Sequence, residues 1–454
     1  MKITLINPPV KKIVEFWDKP KYPQLSLGYL AGYLESKNIF CKVIDAKLEG
    51  ISYSEVIKRC IGENIVGITS FTHDIHNASQ LAERIKRFSP NTKIIIGGIH
   101  ATALPKETME TFPVFDYLVY GEGEETLYEL VKAIEEGNKF RGVKGLVFRD
   151  KDEIIVNAPR EGVQNLDDLP LPAWHLFPKA TEHFIITARG CPFNCNFCMR
   201  AHGQKPRLRS VENVLKELEM LAHVYKTTYV YVADETFTLF KERATEICEG
   251  MIKRKLNHKF IWDAETRVNC INFEVLEKMK EAGCVLIKFG IESGNPEILK
   301  NSKKGITIEQ VRKAVKLAKK AKLKTEGLFI LGHPNETKET MKDTVNLATE
   351  LNTTKVAFGI MTPYPGTEIH EIVKRGEGRY KLLSLDWRDY NKQLGNALEF
   401  DDISRKEIEK IQFWGYMKFY FYNFKVKEII KNFFEHRNLA FAIMRKIINI
   451  KPDE

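Results

Sequence analysis

Three of the chain's eight cysteines fall in one short stretch, CPFNCNFC, at Cys191, Cys195 and Cys198. The other five, Cys41, Cys60, Cys248, Cys270 and Cys284, lie singly and read as buried thiols rather than a disulfide framework. A structural zinc site wants four N or S ligands, often as two spaced pairs. No fourth cysteine is near, and His202 sits in what reads as a loop, GQKPR following it. Three thiolates on a four-iron cluster leave one iron without a protein ligand. An open iron can bind a small molecule, so the trio predicts reaction chemistry rather than a staple.

Such a cluster needs a rigid frame. From about residue 183 the sequence repeats strand patterns, HFIITAR, TYVYVAD, KFIWDAE, CVLIKFGIE, KTEGLFILG and KVAFGIMTP, separated by helical ones such as SVENVLKELEMLAHVY. Six βα repeats with polar residues at the strand ends predict a partial (β/α)6 TIM-like barrel over 181–384, with the trio just after its first strand. Residues 1–145 alternate β-branched runs with helical patterns, the rhythm of an α/β, doubly wound, Rossmann-like domain. The loops NPPV, TSFTHD, GGIHATALP and GEGEE should form its ligand crevice. They contribute Ser70, Gly97, Gly98, His100, Gly121 and Gly123 as candidate binding residues. Prolines in LDDLPLPAWHLFP mark 146–180 as a linker. Residues 385–454 read as a helical extension.

Composition narrows the setting. The 454 residues carry 43% hydrophobic side chains, enough for substantial cores. The formal charge of +10 is spread among interleaved signs, unlike the basic stripe of a nucleic-acid binder, so none is expected as a partner. The opening apolar run breaks at Pro8 and Pro9, and no stretch has the length of a membrane span, so a cytoplasmic enzyme is expected. The extension crowds Phe413, Trp414, Tyr416, Phe419, Tyr420, Phe421, Tyr422 and Phe424 beside Lys418, Lys425 and Lys427. Two readings stand: packing on the barrel or on another subunit, or an interfacial helix giving peripheral membrane contact and delivering a lipid or other apolar substrate.

CPFNCNFC resembles the CxxxCxxC signature of the radical S-adenosylmethionine (SAM) superfamily, with Phe197 as the aromatic before the last cysteine. The resemblance implies a [4Fe-4S] cluster whose open iron chelates SAM. Reductive cleavage then gives a 5′-deoxyadenosyl radical, with electrons from a donor such as ferredoxin or flavodoxin. By the same resemblance FGIESGNPEIL assigns Glu292 and Ser293 to SAM, and GLFILGHP assigns Gly332. Asp234 and Glu235 in YVADETF take the second-strand position, although the commoner glycine-glycine-glutamate is absent. Arg267 in AETRVN is expected to point into the barrel mouth and neutralise a carboxylate.

The whole arrangement is similar to the cobalamin-binding branch of that superfamily, which implies cobalamin in the first domain and methyl transfer to an unactivated carbon. Relatives also close rings. DIHNAS approximates the motif through which some cobalamin domains ligate cobalt, but it follows the third strand rather than the first and ends in Ser79. His76 therefore reads as a helix-start residue, and cobalamin is expected to lack a histidine ligand. A methylthiotransferase is disfavoured because only Cys41 and Cys60 precede the trio. A non-catalytic iron-sulfur or sensing protein is the alternative of another class.

Overall fold

The structure, a computed structural model, describes residues 1–9, 20–137, 139–392 and 395–425. The first domain is built on a seven-stranded sheet. Its strands are β1 (Ile3–Asn7), β2 (Lys42–Asp45), β3 (Ile65–Thr69), β4 (Lys93–Gly97), β5 (Tyr117–Val119), β6 (Leu146–Asp150) and β7 (Glu153–Val156), in the order β2-β1-β3-β4-β5-β6-β7. The first five run parallel, and their near-continuous aliphatic runs are buried because helices cover both faces. The order changes direction between β1 and β3, so the carboxyl ends of these strands open a crevice there.

The linker starts later than expected. Leu146–Asp150 and Glu153–Val156 form an antiparallel hairpin that extends the first sheet from β5. The residues beyond it are seated, not loose. Gly28 and Gly32, one turn apart on helix Leu25–Ser36, leave room for the LPLPAW segment. A Cβ at Gly28 would stand 2.9 Å from Pro172, and one at Gly32 would stand 2.6 Å from the Leu171 carbonyl oxygen. The Ala173 N–H donates to the Gly28 carbonyl at 2.9 Å, and Trp174 is buried beside His183.

The second domain is the expected partial barrel. Its strands are β8 (Glu182–Ile185), then β11 (Tyr229–Val232), β12 (Ile261–Thr266), β13 (Cys284–Glu292), β14 (Lys324–Leu331) and β15 (Lys355–Ile360), all parallel and neighbouring in chain order. The short β9 (Ala188–Arg189) and β10 (Arg207–Leu208) form a separate antiparallel pair between β8 and β11. Helices wrap one face, and side-chain caps such as Ser210 before Val211–His223 and the Thr307–Gln310 capping box before Ile308–Lys320 set where they start. The barrel core is continuous with the core beneath helix Leu25–Ser36, while the opposite face of the first sheet has its own cluster.

The extension departs from the sequence expectation at its start. Among the described residues of 385–397 there is one 3-10 turn, Trp387–Asp389, and no α-helix; Trp387, Tyr390 and Ala397 pack on the first domain, with the Trp387 ring 4.5 Å from that of His100. Helix Arg405–Tyr422 lies against β15. There the Gln412 amide donates to the Phe358 carbonyl at 2.6 Å and the Phe358 N–H donates to the Tyr416 hydroxyl at 3.0 Å. Phe419 is fully buried, whereas Trp414, Phe421, Tyr422 and Phe424 are exposed. Lys427 lies outside the described residues. Among the described residues no helix is long and apolar enough to cross a membrane.

Candidate active site

The cysteine loop is an excursion closed at its foot by the β9–β10 pair, Arg189 opposite Arg207. Gly190 turns it with φ +98°, where a Cβ would stand 2.6 Å from the Lys205 carbonyl oxygen, so only glycine fits. The start of the loop is held from the next strand. Asp234, just past β11, accepts hydrogen bonds from the Thr187 N–H (2.6 Å), the Thr187 hydroxyl (2.5 Å) and the Ala188 N–H (3.2 Å). Burial pushes its carboxyl up, and these donors work against that shift. Asp234 thus anchors the loop, and its acceptors are occupied by protein rather than turned to the barrel mouth. Glu235 beside it is exposed and shares a small cleft with Gly190.

Cys195 is the buried thiol of the trio, Cys191 is half-buried and Cys198 reaches the surface. Protein around the Cys198 sulfur, then the neighbouring Cys195 and Cys191, push its thiol up to about 11, so the three sulfurs lie within electrostatic reach of one another. Arg267 reaches the cysteine loop at the barrel mouth, and among the described residues it pairs with no carboxylate. One of its Nη atoms is 3.4 Å from Cys195 Sγ, the other donates to the Lys304 carbonyl, and the guanidinium covers the Phe193 ring at 3.7 Å. Among the described residues, no three His, Cys, Asp or Glu side chains converge on a single metal ion. Three soft thiols without a fourth partner, one of them already met by a buried cation, fit a four-iron cluster with one open iron.

Of the remaining barrel-end residues, Lys304 and His333 meet Phe197. Glu292 ends β13 with φ +71°, at a register irregularity against β14, and this turn brings its carboxylate 2.9 Å from Lys304 Nζ. Lys304 lies 5.9 Å from the Phe197 ring centre and the His333 ring meets Phe197 edge-on at 5.7 Å. Burial holds the His333 imidazole down to about 4, so it is neutral near pH 7. Ser293 is used locally: its hydroxyl accepts from the Asn295 N–H at 3.1 Å and lies 3.2 Å from the Thr344 hydroxyl. Gly332, φ +91°, donates its N–H to Glu336 at 2.6 Å and accepts from the Tyr380 hydroxyl at 2.6 Å. Glu336 is fully buried and burial pushes its carboxyl up to about 8.

Sequence reasoning missed Lys304, His333 and Glu336. Glu336 had a usable signal, an acid four residues past a strand-end glycine. Lys304 had none, since it comes back to Glu292 only by way of the short helix Pro296–Asn301.

Between the barrel mouth and the carboxyl ends of the first sheet lies a cavity of about 720 Å³. Ser70, Gly97, Gly98, Gly121 and Gly123 line its first-domain side, and Phe184, Ile186, Ala201 and His202 line the other, with Tyr22 against Phe184. Gly98 has φ +98°, and a Cβ there would stand 2.6 Å from the Ser70 carbonyl oxygen. The Ser70 hydroxyl is buried without a hydrogen-bond partner. A bare-backbone rim at the switch point and an unanswered hydroxyl fit a large planar cofactor such as cobalamin. His100 does not belong here. It is fully buried against Trp387, and burial holds its ring down to about 4. The short helix Ile99–Ala103 after β4 carries His100 onto Trp387, part of the core cluster on the other face of the sheet, and out of the cavity lining. His76, in the first turn of helix Ile75–Phe88, also lies outside the residues lining the cavity.

Comparisons with known proteins agree with this geometry. Residues 185–348 match the family model of the radical SAM superfamily and residues 19–131 match that of the B12 binding domain. The chain is 35% identical to an uncharacterised methyltransferase of Pyrococcus horikoshii, covering 98% of this chain and 97% of that one. It is 31% identical to the anaerobic magnesium-protoporphyrin IX monomethyl ester cyclase of Cereibacter sphaeroides, covering 82% and 62%. In fold it resembles the radical SAM methyltransferase TsrM from Kitasatospora setae, solved with cobalamin and a [4Fe-4S] cluster, at TM-score 0.75, 18% identity and 93% and 88% coverage. With a cysteine loop suited to an open-iron cluster and a crevice suited to cobalamin facing one cavity, the chain belongs to the radical SAM superfamily, in its branch with an N-terminal cobalamin-binding domain.

Proposed function

We propose that the protein is a cobalamin-dependent methyltransferase that acts on an unactivated carbon of a small molecule. The observation that carries this reading is the shared cavity, which has the first-domain strand ends on one side and the cysteine-loop residues Ala201 and His202 on the other. When bound, the cluster and SAM supply a 5′-deoxyadenosyl radical, and cobalamin supplies a transferable methyl group. Cys191, Cys195 and Cys198 hold the cluster, with Arg267 against the Cys195 sulfur. Glu292 with Lys304, Gly332 and the exposed Glu235 border the SAM position beside Phe197. Asp234 and Ser293 support it indirectly, through the loop and the helix start they hold. Ser70, Gly97, Gly98, Gly121 and Gly123 cradle cobalamin, with no histidine ligand from His76 or His100. A small electron-transfer protein such as ferredoxin or flavodoxin supplies the reducing electron.

The lipid variant of this reading rested on the aromatic extension, and packing on β15 accounts for Tyr416 and Phe419 without a membrane. A second reading, ring closure without methyl transfer, is favoured by the 31% identity to a cyclase. One experiment separates the two. The reconstituted protein is incubated anaerobically with SAM, reductant, methylcobalamin and candidate substrates, and 5′-deoxyadenosine and S-adenosylhomocysteine are scored. Methyl transfer yields both; ring closure yields deoxyadenosine alone. Absence of deoxyadenosine from cluster-loaded protein defeats both and leaves the non-catalytic alternative.

A further inference from the structure

The sequence GEGEE places a carboxylate, Glu122, between two of the glycines that line the cavity. Its side chain, 7% exposed, leaves the first domain and enters the foot of the cysteine loop. There it meets Arg189 Nη1 at 3.1 Å, Arg207 Nη1 at 3.0 Å and His202 Nδ1 at 3.3 Å. These three groups bracket the trio, Arg189 two residues before Cys191, and His202 and Arg207 after Cys198. The Val163 N–H, from the interdomain segment, donates to the same carboxylate at 3.0 Å. Burial opposes its ionisation, but hydrogen bonds from His202 and Arg207 and the charge of Arg189 hold it well below the usual carboxylate range.

The physical consequence is asymmetric. Arg189 and Arg207 are buried, so removing Glu122 leaves the Arg207 guanidinium without a counter-charge and Arg189 with Glu124 alone, which favours opening of the loop to hydrate Arg207. Glu124 answers Arg189 at 2.6 Å, but among the described residues it forms no bond with Arg207 or His202. The backbone on either side of Glu122 is the rim of the crevice, and Gly121 holds φ +78° with no neighbour within 4 Å of a Cβ position. A ligand seated on that rim restricts the turn, and the turn carries the carboxylate that orders the loop.

We propose that Glu122 is a positioning residue that couples occupancy of the first-domain crevice to the order of the cysteine loop. The inference rests on the reading above, in that the crevice ligand is cobalamin. The coupling is an ordering effect, in which the first ligand prepays conformational restriction for the second. Linkage makes it reciprocal, so a loaded cluster tightens cobalamin binding by the same factor.

Hydrogen exchange on the full-length, cluster-free protein tests this with hydroxocobalamin as the probe. Addition of cobalamin should slow exchange across residues 189–207 by roughly 10-fold in the parent. The same slowing is expected in Glu125→Gln, a surface control whose carboxylate pairs with Arg160. In Glu122→Gln the loop should exchange faster from the start and be indifferent to cobalamin, although the cobalamin spectrum still reports binding. Parent-like slowing in Glu122→Gln overturns the coupling. If that variant does not fold, Glu122→Asp is measured instead: weakened slowing supports the role and parent-like slowing overturns it. A parent that binds no cobalamin sinks the cobalamin reading together with this inference. A parent that binds it without slowing of the loop sinks only the inference.

Discussion

The first-domain crevice presents bare backbone at Gly97, Gly98, Gly121 and Gly123 among its side chains, with an unpartnered hydroxyl at Ser70. The barrel mouth presents side chains: three thiols, the Glu292–Lys304 pair, Arg267 and His333 around Phe197. The difference follows from what each must hold. A broad, mostly neutral cofactor face is met over area, where any Cβ is an obstruction. A cluster and a zwitterion are met by donor atoms and charges at fixed points. The two sites should therefore fail by different kinds of substitution, one by added volume and the other by lost functional groups, with only the modest coupling through Glu122 between them.

The largest effect expected is on the barrel side. Cys195→Ala should abolish iron loading and lower 5′-deoxyadenosine formation by at least about a thousandfold, with cobalamin binding retained and weakened by no more than the roughly 10-fold coupling through Glu122. Iron analysis and spectral titration together read this out, and loss of both cofactors at once would break the comparison. The converse substitution is Gly98→Val. A Cβ at φ +98° and 2.6 Å from the Ser70 carbonyl should weaken cobalamin binding about 10- to 100-fold while iron content stays at the parent level.

A third prediction concerns the buried acid behind the barrel mouth. Glu336 is raised from 4.5 to about 8 in the folded chain, so between those values the native state holds a proton that the unfolded state has lost. Stability due to this group is full below about 4.5 and declines as pH rises through 8, by up to about 1.4 kcal/mol per pH unit. His100, His183 and His333 are lowered from 6.5 to about 4 and act in the opposite sense, with stability rising from about 4 to 6.5. The Glu336 slope should thus emerge alone among these four groups between pH 6.5 and 8. Denaturant melts of Glu336→Gln, which keeps an acceptor for the Gly332 and His333 N–H groups, should be flatter over that window than those of the parent. The smallest effect is expected on the exposed side of helix Arg405–Tyr422. Trp414→Ser should change stability by no more than about 0.5 kcal/mol. If it removes liposome binding that the parent shows, a membrane role for that surface returns.

Much of this was legible in the sequence. The βα rhythm, the position of the trio after the first barrel strand and the glycine-bearing loops of the crevice are local patterns, and local patterns are what burial on both faces of a parallel sheet imposes. Asp234 was legible as important but not as a loop anchor. Its partners Thr187 and Ala188 are neighbours only because β8 and β11 pair. His100 looked like a crevice residue because its sequence neighbours are. One turn of helix carried it to the opposite side, and Trp387, nearly 300 residues away, closed over it.

By itself the sequence determined the two-domain frame and gathered three cysteines into one loop after the first barrel strand, because strand periodicity and residue spacing are short-range properties of the chain. The tertiary structure alone decided which charges meet. Glu122 with Arg189 and Arg207, Glu292 with Lys304, and Arg267 with Cys195 are each brought together by strand order and loop closure. A buried charge has to find its partner in space, and the partner's position in sequence carries no trace of that requirement.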